Sequence, residues 1–175
     1  FSCEGENVVD AGKYCNYGRA SSDWLDTAMS LKLRQAASVL NESLDKFEES
    51  LRKKISKFGD IPCVGRTHGM HAEATTLGHK LSGFLAELLR NRTRFENAIS
   101  QSMIVKLSGA VGTYSTLDEK IEIKVGEILK LTPETVATQV IPRDRHAEVI
   151  FTLAMIAAGL ERLATEIRHM QRTEV

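Results

Sequence analysis

The strongest constraint on the fold is a run of 34 residues, 25–58, that contains neither glycine nor proline. Its apolar residues recur about every 3.67 residues, the repeat of one face of an α-helix. They are Leu25, Met29, Leu33, Ala36, Leu40, Leu44, Phe47, Leu51, Ile55 and Phe58. Ser22 or Asp23 is the predicted N-cap, and residues 59–62 (Gly-Asp-Ile-Pro) are the predicted stop. Such a helix is roughly 50 Å long, whereas helices in globular proteins average about 10–14 residues.

The rest of the chain also has mainly helical patterns. Helices are predicted over residues 72–103, over 118–131 and from Pro142 onward. In the last of these, apolar residues from Val149 to Met170 alternate in steps of four and three, the pattern of a supercoiled seam. No alternating strand pattern exceeds about five residues. We therefore predict an all-α fold, a long-helix bundle, with residues 1–175 forming a single helical region and with oligomerisation as a hypothesis.

Composition narrows the function classes. Lys plus Arg and Asp plus Glu number 23 each, so no basic excess favours nucleic acid or an anionic membrane surface as a partner. No apolar run approaches the roughly 20 residues of a membrane helix. Three cysteines without a CxxC spacing are typical of a reducing compartment, and we expect a cytoplasmic location. The chain opens on Phe1 and closes at Val175 without a helix stop signal, so we expect a piece of a longer protein.

The segment 65–71 (Gly-Arg-Thr-His-Gly-Met-His) is the first candidate site because it places polar side chains between glycines. His68 can donate or accept a proton near neutral pH, and Thr67 precedes it. A purely structural histidine in a loop is an equally good explanation from these residues alone. His68 and His71 form an H-x-x-H, but no further ligand stands at zinc spacing, so we predict no metal site.

Three other segments carry polar groups between helices. Ser21 and Ser22 stand at a helix start, where hydroxyls and free N–H groups bind anions, although a plain N-cap is the commoner role. Residues 106–113 form a glycine-bearing loop that lacks the phosphate-loop spacing. Gln139 has an amide suited to orienting a carboxylate. Cysteine nucleophiles, paired catalytic carboxylates and dinucleotide loops find no support.

Together these segments resemble the adenylosuccinate lyases of the aspartase/fumarase superfamily. The matching segments are residues 17–23 with 25–28, residues 65–73 with 75–76, residues 106–114, and residues 138–139 with 143–148, and the likeness covers essentially the whole chain. The resemblance implies a homotetramer whose long helices form one bundle, with active sites shared between subunits. It also implies β-elimination of fumarate from adenylosuccinate, giving AMP, and from the succinylaminoimidazole carboxamide ribotide of purine biosynthesis, with no cofactor.

The resemblance also assigns roles to single residues. His68 corresponds to the general acid, Thr67 and Ser21 to residues that hold the substrate's succinyl carboxylates, and Gln139 to a substrate-binding residue. The family's base serine is expected beyond Val175, so the 175-residue piece alone is expected to be inactive.

This chain departs from the family pattern at three positions, and other readings of the sequence stay open. The departures are Asn16 for histidine, Ala20 for threonine and Ala74 for proline. Alternatives are another fumarate-releasing relative such as argininosuccinate lyase or fumarase, or a non-catalytic helical assembly protein.

Overall fold

A computed structural model describes Tyr14 and residues 16–173 of the chain. Within these residues it contains four helices, α1 (Ser21–Phe58), α2 (Leu77–Gln101), α3 (Glu119–Leu129) and α4 (Asp144–His169). The predicted all-α class is confirmed, and α1 extends over 38 residues. The chain ends and Cys3 and Cys15, which entered the predictions, lie outside the described residues.

Two short strand pairs depart from the purely helical prediction. β1 (Pro62–Thr67) and β2 (Met70–Thr76) form an antiparallel hairpin, and β3 (Ile104–Val105) pairs in parallel with β4 (Thr132–Pro133). The prediction of a helix from residue 72 was therefore wrong at its start. Ala72, Glu73 and Ala74 have ordinary helical propensity, but backbone pairing with β1 overrides it.

The described residues divide into two compact units. The first comprises the residues up to Gln35 together with Gln101–Arg145, and the second comprises Ala36–Ser100 together with the residues from His146. Helix α1 thus supplies its first turns to one unit and its remaining turns to the other.

The second unit has an apolar core built on heptad spacing. Buried residues recur every seven positions on each of its three long helical segments, as in coiled-coil packing. They are Ala37, Leu44 and Leu51 on α1, Leu81, Leu88 and Phe95 on α2, and Val149, Ile156 and Leu163 on α4. The seam predicted for α4 is confirmed at these three residues, whereas Leu160 and Ile167 of the same seam are 42% and 44% exposed.

Ion pairs join the helices of the second unit around that core. The Arg92 guanidinium lies 2.5 Å from an Asp45 oxygen and 2.6 Å from a Glu48 oxygen, which joins α2 to α1. On the other side, Arg162 contacts Glu87 at 2.5 Å, so α4 is joined to α2. Arg92 of α2 therefore pairs with two carboxylates of α1.

In the first unit, the buried face of α1 is polar. Asp23, Asp26, Thr27 and Ser30 are at most 7% exposed, whereas Leu25 and Met29 of the predicted apolar face are 52% and 46% exposed. The apolar periodicity therefore predicted the wrong core face for these first turns. A buried polar group is tolerated only when it is hydrogen-bonded, and each of these four side chains has a partner.

Two glycines let the end of α1 approach the start of α2. The Gly78 N–H donates to the Gly59 carbonyl at 3.1 Å, and the Leu77 N–H donates to Ile61 O at 2.9 Å. A Cβ on Gly78 would lie 2.6 Å from the Gly59 Cα, closer than atoms can approach without displacement. The two ends of the hairpin β1–β2 therefore lie close together, where the end of α1 contacts the start of α2. No helix in the described part of the chain has the length and apolarity needed to cross a membrane.

Candidate active site

The hairpin turn presents His68 at its tip. Thr67 pairs with Met70, so His68 and Gly69 alone form the connection between β1 and β2. Both have positive φ, 54° and 75°, as two-residue type I′ turns require. Positive φ is uncommon outside glycine, although histidine is among the residues enriched there. Thr67 and His68 are both exposed, so a ligand can reach their side chains.

A β-bulge lies directly behind the turn. The register passes from Val64↔Ala74 to Arg66↔His71, so that Gly65 faces two residues of β2 rather than one. A Cβ on Gly65 would lie 3.0 Å from the Glu73 carbonyl oxygen, so glycine suits this close approach. The Arg66 guanidinium donates to His71 Nε2 at 3.3 Å across the two strands. Arg66 thus links the two strands of the hairpin next to the turn.

Ser21 is the first residue of α1 and is exposed. The predicted N-cap at Ser22 or Asp23 was wrong, because Ala20 is the residue that precedes the helix. The Asp23 carboxylate accepts from the Ala20 N–H at 2.9 Å, while the Asp23 N–H donates to the Ala20 carbonyl at 3.1 Å. Asp23 therefore satisfies the turn from the third helical position, as the acidic half of a capping box does. The Ala20 N–H is engaged in this bond and is not available to a substrate.

Asn16, the position at which the resemblance has histidine, is also engaged. Its side-chain oxygen accepts from Trp24 Nε1 at 3.1 Å, and the Arg19 guanidinium lies 4.4 Å from the centroid of the Trp24 ring. A neutral amide held by an indole cannot donate a proton as a histidine can. Residue 16 of this chain therefore cannot supply the proton that a histidine there could supply.

Gln139 is exposed and lies just before a segment that α1 anchors. One oxygen of Asp26 accepts from the Ile141 N–H at 2.9 Å, and the other accepts from Arg143 Nη1 at 2.8 Å. Asp26 is one helical turn beyond Asp23, so the two carboxylates lie on the same face of α1. The beginning of α1 thus holds both the turn that leads into Ser21 and the segment that follows Gln139.

A buried ion pair between Asp23 and Lys106 was missed by sequence reasoning. Both side chains are 0% exposed, and Lys106 Nζ lies 2.5 Å from Asp23 Oδ1 and 2.5 Å from the Gly109 carbonyl oxygen. Two signals could have found it. Asp23, Asp26 and Ser30 recur at helical spacing, and Lys106 interrupts the apolar run 103–107.

Glu122 binds the other side of the glycine loop, residues 106–113. It is 1% exposed and accepts from the Leu107 N–H and, at 2.7 Å, from the Tyr114 hydroxyl. Burial and the bond to this carboxylate raise the pKa of Tyr114 well above its ordinary value of 10.0. Tyr114 therefore remains a protonated donor at neutral pH, and the loop that contains Lys106 is fixed at both ends.

The four predicted site residues are thus distributed in two pairs. Thr67 and His68 lie on one hairpin of the second unit, while Ser21 and Gln139 lie in the first unit. All four are exposed. Among the described residues, no group of three or more His, Cys, Asp or Glu side chains is arranged to hold a metal ion.

The sequence matches a family model described as Lyase over residues 3–175. The adenylosuccinate lyase of Thermotoga maritima is 47% identical over 171 residues, which are 98% of this chain and 40% of that protein. The adenylosuccinate lyase of Synechocystis sp. is 48% identical over 170 residues, 97% of this chain and 39% of that protein. The chain therefore spans about 40% of the length of the curated relatives it matches.

Solved structures show the same likeness. A fumarate lyase from Mesorhizobium sp. BNC1 superimposes with a TM-score of 0.87 at 29% identity, over 94% of this chain and 40% of that one. A 3-carboxy-cis,cis-muconate lactonizing enzyme from Pseudomonas putida gives 0.87 at 32% identity, over 97% and 39%. The long helices, the hairpin and the match across residues 3–175 lead to one conclusion: this chain belongs to the lyase family.

Proposed function

We propose that the full-length protein containing this chain is an adenylosuccinate lyase, which releases fumarate from adenylosuccinate by β-elimination and leaves AMP. The same chemistry would act on the succinylaminoimidazole carboxamide ribotide. The observation that carries the proposal is the 47–48% identity to adenylosuccinate lyases over nearly the whole chain. The solved structures have lower identity and different reactions in their names, so they support the fold more than the substrate.

The reaction needs two proton transfers. A base removes the proton from the carbon beside a carboxylate, the C–N bond breaks, and an acid protonates the departing nitrogen. We assign the acid to His68, whose imidazole lies exposed at the tip of a rigid two-residue turn. The base is expected in the part of the protein outside these 175 residues, so we expect no turnover from this piece alone.

Ser21, Thr67 and Gln139 are proposed to bind the substrate. The hydroxyls and the amide can donate to the succinyl carboxylates, which carry negative charge throughout the reaction. Their exposure and their places beside fixed backbone, at a helix start, a hairpin turn and an anchored segment, support this assignment. No cofactor is part of the proposal.

We further propose that the protein is a homotetramer in the cytoplasm. Apolar residues at seam positions of α4, Leu160 and Ile167, are 42% and 44% exposed in the single chain, and Phe151 is 59% exposed. A second copy that covers them would complete the heptad packing. The lack of basic excess favours a small nucleotide substrate as the partner rather than a nucleic acid.

The deciding experiment measures fumarate release by the full-length protein from adenylosuccinate, and separately from argininosuccinate. Turnover of adenylosuccinate with no turnover of argininosuccinate is the expected result. The reverse result would assign the protein to another reaction of the superfamily. A tetramer that turns over neither substrate would support a helical assembly protein and overturn the proposal.

A further inference from the structure

The glycine loop, residues 106–113, contacts two stretches of the first unit that lie close in sequence to the candidate residues Ser21 and Gln139. At one end, Lys106 Nζ binds the Gly109 carbonyl and the Asp23 carboxylate, two residues along α1 from Ser21. At the other end, Gly112 has a φ of 81° and lies so close to Ala137 that any Cβ would overlap its carbonyl oxygen. Ala137 is two residues before Gln139, so the loop contacts the neighbourhood of both residues.

The base of this loop is held independently of the ion pair. The Lys106 N–H donates to Thr27 Oγ1 at 3.1 Å, and the Leu107 N–H donates to Glu122. The Tyr114 N–H donates to the Ser108 carbonyl at 3.0 Å, which closes the loop on itself. The Asp23–Lys106 pair is therefore not needed to attach the loop, but it is the contact that ties residue 109 to the turn before Ser21.

Stability alone does not account for this ion pair. Two charges removed completely from water lose hydration that their attraction only partly restores, and apolar residues of similar volume stabilise such a site as well or better. A fully buried pair does, however, impose one geometry on the groups it joins, because alternative arrangements leave a charge without a partner. Here the groups are the Ala20–Ser21 turn and the glycine loop.

We propose that Asp23 and Lys106 are positioning residues, whose ion pair sets the geometry of the substrate-carboxylate site between Ser21 and Gln139. The inference rests on the proposed function. Neither residue contacts the reacting atoms. The pair acts through the glycine loop, which it joins to α1 at Gly109 and which packs against Ala137 at Gly112. The effect of the pair is therefore expected on binding of the dicarboxylate part of the substrate.

The test compares two double variants of the full-length protein with wild type. Asp23→Leu with Lys106→Met replaces the pair by apolar side chains, and Asp23→Asn with Lys106→Gln keeps a neutral hydrogen-bonded link. We expect the apolar pair to raise KM for adenylosuccinate about tenfold, with a smaller rise for the amide pair. Inhibition by fumarate should weaken in the same order, while inhibition by AMP stays unchanged, because only the dicarboxylate site is disturbed.

The matched control is Lys80→Met with Glu166→Leu, which removes a partly exposed ion pair of the second unit. It should leave both inhibition constants unchanged. If the variant with the apolar pair does not fold, the inhibition constants of the variant with the amide pair alone test the inference. Wild-type inhibition by fumarate in whichever variant folds would overturn the inference, and so would an equal weakening of AMP and fumarate. Absence of turnover in the wild-type protein would instead overturn the proposed function.

Discussion

At the tip of the hairpin, His68 holds a backbone conformation that asparagine or glycine adopts at lower cost. The turn itself would therefore be more stable without the imidazole. A residue kept in an unfavourable region of φ is a reason to look for a role outside folding. For His68, the proposed role is to donate a proton.

The variant His68→Asn separates these two effects. We expect a melting temperature equal to or above that of wild type, because asparagine favours the first position of a type I′ turn. Turnover of adenylosuccinate should fall by about 10²–10⁴, the usual contribution of a general acid. His79→Asn, at an exposed histidine on α2, is the matched control and should keep full activity. Turnover within a few-fold of wild type in His68→Asn would contradict the assigned role.

Glu48 gives a pH-dependent contribution to stability. The hydrogen bond from Arg52, followed by that from Arg92, lowers the pKa of Glu48 below its ordinary value of 4.5 against the opposing effect of burial. A carboxyl with a lowered pKa stabilises the folded state above the unfolded pKa and loses that effect as pH falls through the folded value. The stabilisation is therefore complete at neutral pH and disappears in acid.

We expect Glu48→Gln to lower the free energy of unfolding by about 1 kcal/mol at pH 7. The difference from wild type should be complete at pH 7 and largely lost at an acidic pH below the lowered pKa of Glu48. Urea denaturation at the two pH values measures this. Glu49→Gln, which removes an exposed pair with Lys53, should have little effect at either pH. A loss of equal size at both pH values would show that packing, not charge, accounts for the contribution of Glu48.

Helix α2 contains two glycines with opposite expected responses to a methyl group. Gly78 touches the Gly59 backbone, whereas an added Cβ on Gly83 meets no atom within 4 Å. Gly83→Ala should raise the free energy of unfolding by about 0.5–1 kcal/mol, since alanine is the better helix former. Gly78→Ala should lower it by about 1–3 kcal/mol, because backbone must move. Thermal unfolding of both variants checks the contrast, and equal shifts would mean that the Gly59–Gly78 approach is not tight.

The sequence predicted some elements well, and the reasons for the exceptions are physical. Long helices follow from apolar periodicity, and the seam predicted for α4 is buried at Val149, Ile156 and Leu163, whereas Leu160 and Ile167 are exposed. The first turns of α1 violate the same rule because carboxylates and hydroxyls bury themselves there with partners more than 70 residues away. A local sequence pattern cannot indicate partners that lie so far apart in the chain. The hairpin was missed because the centre of Met70–Thr76 is Ala72, Glu73 and Ala74, residues that favour helices and are depleted in strands.

The candidate residues show the same division. Polar residues beside glycines and helix ends can be recognised in a sequence, and this identified four candidates: Ser21, Thr67, His68 and Gln139. Asp23 was read as a simple cap and Lys106 as part of a loop, since a buried ion pair has no spacing of its own.

At the scale of the whole molecule, the exposed seam residues of α4 bear on the proposed assembly. Leu160 and Ile167 follow the same heptad as buried Val149 and Ile156 but are half exposed. We expect Leu160→Glu with Ile167→Glu to shift the proposed full-length tetramer toward smaller species, because charges would enter an apolar interface. Solution scattering measures the mass. Val136→Glu, at a residue 77% exposed in a loop, is the control and should leave the mass unchanged. An unchanged mass in the α4 variant would place the interface elsewhere.

Because a bulge lies next to the turn, the direction of the His68 imidazole depends on the number of residues in the hairpin. One surplus residue in β2 opposite Gly65 bends and twists the hairpin before it reaches its tip. Deleting Ala72 would restore an unbroken ladder and keep the Thr67↔Met70 pair, yet it would swing the imidazole to a new direction. We therefore expect this deletion to reduce turnover far more than Ala72→Ser, with both measured in the full-length protein. We therefore expect the hairpin to tolerate a change of composition better than a change in its number of residues.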